Sequence, residues 1–118
     1  MFDEALAKVL HQLEGSPCVL LTGSDGMLVA SAVTKDGPAP DVVAASLADL
    51  FRKAGLAHRE SGFAPPKELT SCGSSTQSVS RAVTPEYLLV AVIDRIGSLG
   101  RTRFELKMAA AALEPELS

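Results

Sequence analysis

The stretch LLTGSDGMLVAS, residues 20–31, sets two glycines and an aspartate between two apolar runs. Two readings compete: a glycine-rich loop that cradles phosphate, or the turn of a β-hairpin. A Walker-type loop needs Gly, four residues, then Gly-Lys and Ser or Thr at the start of a helix. Gly23 and Gly26 stand too close together, no lysine follows, and the next run is β-prone rather than helical. The dinucleotide fingerprint fails for the same reason, since a hairpin offers no helix N-terminus to an anion. The stretch therefore reads as a hairpin. Asp25-Gly26 is expected at the centre of a type I′ turn, in which both central residues take positive φ. Gly23 is expected at the fraying end of the first strand.

Outward from the hairpin the pattern alternates between helix and strand. Upstream, Phe2, Ala5, Leu6, Val9, Leu10 and Leu13 form one apolar stripe at helical spacing, closed by Gly15, Ser16 and Pro17. Downstream, KDGPAP is a loop, and Pro40 or Asp41 opens a second helix, DVVAASLADLFRKAGLAHRES. Two seams run along it. Val43, Leu47, Leu50, Ala54 and Ala57 make a bulky one, and Ala44, Ala48, Phe51, Gly55 and His58 a smaller one beside it. Such a helix can pack on a sheet and also on another helix. It is either well buried in its own domain or shared with a partner. The polar wing holds Ser46, Asp49, Arg52, Lys53 and Glu60.

After GFAPPK the chain turns β-like through KELTSCG, TQSVSRAVT and EYLLVAVID. The run from Tyr87 to Ile93 shows no alternation, which suits a central strand covered on both faces. In TQSVSRAVT, Val79 and Val83 stand in line with serines opposite, as in a strand near an edge with one wet face. A last helix is expected from about Ser98, a natural N-cap, to Leu113. The order helix, two strands, helix, three strands, helix implies an α+β domain built on an antiparallel sheet.

Composition bounds the function. The chain has 118 residues, which fits a single domain over residues 1–118. A formal charge of −3, no tryptophan and few aromatics argue against nucleic-acid binding. Its longest apolar run falls far short of the roughly 20 residues of a membrane helix, and MFDEALAKVLHQLEG lacks the layout of a secretory signal. Cys18 and Cys72 share no motif and read as free, reduced thiols of a cytoplasmic protein.

Chemistry is sparse. His11 and His58 have no partner at i+4, and neither cysteine has a C-x-x-C mate, so no metal site is expected. Cys72 reads as structural rather than nucleophilic, G-x-S-x-G is absent, and no carboxylate pair suggests acid–base work. No cofactor and no enzymatic activity are expected. Arg95, Arg101, Arg103 and Lys107 gather at the start of the last helix, where the helix dipole disfavours them. A solvated face, an intramolecular carboxylate or a partner would each account for that cluster.

Together, the element order, the VLLTGSDGMLVASA hairpin and the closing YLLVAVIDRIGSLGRTRFELKMAAAAL resemble the Roadblock, or dynein light chain, family, its prokaryotic MglB-type members above all. The resemblance spans nearly the whole chain, although TSCGSSTQSVSR is richer in serine than the family's third and fourth strands. It implies a five-stranded antiparallel sheet of profilin-like kind, with the second helix on one face and the first and last on the other. It also implies a homodimer formed by the second helices and third strands, through Ala44, Ala48, Phe51, Gly55, His58, Leu69 and Ser71. Family members bind Ras-like small GTPases as regulators or as adaptors. By that resemblance Asp49, Arg52, Lys53 and Arg59 would face the GTPase. The expected function is thus a non-enzymatic dimeric GTPase regulator. The alternatives are a structural adaptor and a small-molecule sensor, the last needing a cavity of ~300 Å³ or more.

Overall fold

The computed structural model describes residues 2–94 and 97–118. Eight elements follow in the expected order: α1 (Phe2–Gln12), β1 (Cys18–Gly23), β2 (Leu28–Val33), α2 (Pro40–Glu60), β3 (Glu68–Cys72), β4 (Thr76–Thr84), β5 (Tyr87–Asp94) and α3 (Leu99–Leu117). The strands form one antiparallel sheet in the order β2-β1-β5-β4-β3. β5 is central, and Leu88 to Ile93 are all buried. β2 and β3 are the edges.

Strand alternation sorts the core into two layers. Val19, Leu21, Val79, Leu89 and Ala91 point toward α1 and α3, meeting Leu6, Val9, Leu106, Ala110 and Leu113. Cys18, Leu20, Leu88, Val90 and Val92 point the other way, toward Ala44 and Ala48 of α2. Each fully buried Leu or Val stabilises the fold by about 1.5–3 kcal/mol. Among the described residues no buried side-chain nitrogen or oxygen lacks a hydrogen-bond partner.

The 20–31 stretch is a hairpin of a different type from the one expected. Gly23 N–H donates to the Met27 carbonyl (2.9 Å) and Gly26 N–H to the Gly23 carbonyl (2.9 Å). Ser24, Asp25 and Gly26 thus make a three-residue loop, and only Gly26 has positive φ (89°). This is a type I turn closed by a left-handed glycine, not a type I′ turn. Asp25 contributes its side chain, whose Oδ1 accepts from Met27 N–H (3.0 Å). Gly23 does not fray: it is buried, pairs with Tyr87 and anchors the turn.

Both long helices end for identifiable reasons. α2 closes in a Schellman motif. Gly62 (φ 76°) donates to the Arg59 carbonyl and Phe63 N–H to the His58 carbonyl, while the His58 and Phe63 rings stack edge-on at 5.7 Å. α3 opens on Ser98, whose hydroxyl accepts from Arg101 N–H (3.1 Å). It runs past Leu113 to Leu117 with Pro115 inside its last turn.

Candidate functional site

A single helix cannot cover this sheet. Five strands spaced about 4.8 Å apart span roughly 19 Å, whereas a helix with its side chains is about 10–12 Å wide. On one face α1 and α3 share the task. On the other, α2 lies over β1, β2 and β5, and its flank toward β4 stays open. The result is a groove of about 940 Å³. Phe51, Arg52, Gly55, Leu56 and Arg59 of α2 form one wall, Phe63 to Lys67 the opposite wall, and β4 with Pro85 and Leu88 the floor. The lining is mainly apolar, and its charged members are Arg52, Arg59, Lys67 and Arg81 with Glu114 of α3. Among the described residues neither Arg59 nor Lys67 has an ion-pair partner.

The seams of α2 divide differently from the expectation. Ala44 and Ala48 are 0% and 1% exposed and pack on their own sheet, and Ala48 also borders the groove. Their small side chains let the helix settle closely over Cys18, Leu20 and Val90. Phe51 and Gly55 do line the groove. A Cβ built on Gly55 would meet nothing within 4 Å, so glycine at this mid-helix position answers no contact within the chain. His58 is held in the C-terminal cap, its Nδ1 2.9 Å from the Ala64 carbonyl. Leu69 and Ser71 share the α2 side of edge strand β3, opposite Ser80 and Ser78. On that side of β4, Ser80 is buried and Ser78 half-buried.

Asp49, Arg52 and Lys53 form a ridge on the outside of α2. Asp49 pairs with Arg52 (2.6 Å) and Lys53 (2.9 Å), and these cations, Lys53 first, hold its carboxyl below the usual carboxylate range. Arg52 also donates to the Ser24 carbonyl (3.0 Å), and Ser24 N–H donates to the Glu86 carbonyl (2.8 Å). The helix, the hairpin tip and the β4–β5 turn are thereby locked at one point. Arg59 is exposed at the groove rim.

The arginines near α3 find carboxylates within the chain. Arg103 binds Glu68 of β3 (2.6 Å), which also reaches Arg81 (3.5 Å), and Arg101 binds Glu105 (3.1 Å). Glu68 escaped notice in the sequence because its partners come from β4 and α3 and meet only after folding. Arg95 lies outside the described residues. Cys18 is buried, which pushes its thiol pKa up, and Cys72 is exposed. Both are free. Among the described residues no group of three His, Cys, Asp or Glu side chains is placed to hold a metal, and no helix is long and apolar enough to cross a membrane.

No protein-family model matches the chain, and no curated protein sequence matches it. Solved structures do. MglB of Myxococcus xanthus superposes with a TM-score of 0.88 at 19% identity, covering 98% of this chain and 94% of that one. A Roadblock/LC7 domain from Streptomyces avermitilis gives 0.88 at 16% identity, with 98% and 96% covered. Profilin II of Acanthamoeba castellanii is more distant, at 0.62 and 17% identity, with 99% and 97% covered. The chain has the fold of MglB and Roadblock/LC7 domains, a five-stranded α+β architecture with profilin-like relatives.

Proposed function

We propose that this chain is a non-enzymatic, dimeric, cytoplasmic regulator of a Ras-like small GTPase. The observation that carries the reading is the half-covered sheet face beside α2. A second copy of α2, laid antiparallel in the groove, would bury Phe51, Leu56 and the bare backbone at Gly55. The free edge at Leu69 and Ser71 would extend the sheet across the same two-fold axis. His58 would lie at the rim of that contact. The paired helices would then present Asp49, Lys53, Arg52 and Arg59 as a charged ridge to the GTPase. The likeness to MglB in fold supports this assignment of faces.

A structural adaptor is the second reading, favoured by the Asp49–Arg52–Lys53 cluster being satisfied within the chain. Arg52 is held by Asp49 and by the Ser24 carbonyl rather than poised for a nucleotide. Measuring GTP hydrolysis by a Ras-like GTPase of the same genome, with and without this protein, separates the two. The regulator raises turnover; the adaptor binds and leaves it unchanged. A chain that stays monomeric at micromolar concentration contradicts both.

A further inference from the structure

α3 is apolar on two opposite sides. Thr102, Leu106, Ala110 and Leu113 face the core. On the outer side Phe104, Met108, Ala111 and Pro115 step by four, three and four residues, the spacing of a helix-pairing seam. All are exposed, Phe104 by 57% and Met108 by 54%. Nothing in the fold of the single chain accounts for a seam of this period on the solvent side.

The charges beside the seam indicate what covers it. Lys107 and Glu114 are exposed, lie seven residues apart on one flank, and carry opposite sign. An antiparallel copy of the same helix, centred between residues 109 and 110, sets Met108 against the partner's Ala111 and Phe104 against the partner's Pro115. The midpoint of Lys107 and Glu114 lies one residue from that centre, so each lysine comes near the partner's glutamate, twice by symmetry. Flanking charges of this kind set partner and orientation in helix pairs. Ala111 and Ala112 keep the seam narrow enough for close approach. We infer that the outer face of α3 is a self-association surface, on which a second copy of this chain docks antiparallel through Phe104, Met108 and Ala111 with reciprocal Lys107–Glu114 pairs. Phe104, Met108 and Ala111 stand apart from the groove beside α2, whereas Glu114 borders both surfaces.

About three helical turns make a contact below the standard interface size, so the association is weak. It is tested by sedimentation equilibrium on the full chain up to about 1 mM, a concentration that resolves millimolar dissociation constants. Lys107→Glu and Glu114→Lys should each weaken one association step about 3-fold to 30-fold, the range for two exposed pairs turned repulsive. The double reversal should restore it, and Met108→Glu should abolish it. Both charge positions are exposed, and far-UV circular dichroism checks that each variant keeps its helices. Lys107→Glu and Met108→Glu lie outside the groove beside α2 and leave any association through α2 as a separate step, which isolates the α3 contact from the change that Glu114→Lys makes in the groove. Single reversals without effect, a double reversal no better than the singles, or a wild-type chain with no step sensitive to Met108→Glu would overturn the proposal.

Discussion

Gly26 shows how much can depend on one backbone angle. Its φ of 89° is left-handed, and a Cβ there would sit 3.2 Å from the Ala45 Cα of α2. Gly26→Ala should therefore cost about 1–3 kcal/mol, from backbone strain and from the tight approach to the helix. Urea denaturation would measure it. The cysteines give a second residue-scale expectation. Cys18 is 0% exposed with its pKa raised by burial, whereas Cys72 is exposed. A thiol reagent should modify Cys72 rapidly in the native chain and reach Cys18 only on unfolding; rapid labelling of both would contradict the core described here. Asp25-Gly26 was readable as a turn from the chain alone. Its type was not, because Asp25 supports either geometry, and the Gly23–Met27 hydrogen bond that selects the three-residue loop depends on strand register.

At the scale of elements, α2 carries the sharpest test. A mid-helix glycine costs roughly 0.5–1 kcal/mol relative to alanine, and Gly55 has open space where a Cβ would go. Gly55→Ala should stabilise the isolated chain by about that amount. If a second α2 packs on this backbone, the same change should weaken dimerisation. Opposite signs in thermal stability at low concentration and in dimer affinity would support the groove as an interface; parallel gains would not. Edge strand β3 is held by Glu68, whose side chain is 12% exposed and bridges Arg81 and Arg103. Glu68→Gln should cost about 1–3 kcal/mol, in line with hydrogen bonds to charged groups. Amide exchange in β3 should rise more than in β5. The two seams of α2 were legible from spacing, but which one faces the sheet was not. Small residues suit a helix–helix contact and a close helix–sheet contact equally, and only the position of α2 over β1 and β5 decides. Pro115 likewise hid the last turn of α3, since a proline near a helix end reads as a stop although the chain continues to Leu117.

For the whole molecule, element order and layer count were recoverable because each run carries its own period: two in the strands and about 3.6 in the helices. The groove was not, since it arises from the strand order β2-β1-β5-β4-β3 and from one helix facing five strands. That shortage of cover makes one sheet face incomplete in a single chain, and it underlies the proposal of a dimer that acts on another protein. The most direct test loads a Ras-like GTPase of the same genome with GDP or with a non-hydrolysable GTP analogue and titrates each with this protein. The account predicts at least about tenfold tighter binding to one nucleotide state, equivalent to about 1.4 kcal/mol, weakened by Lys53→Glu and Arg59→Glu. Equal affinity for the two states, or no binding to either, would contradict it.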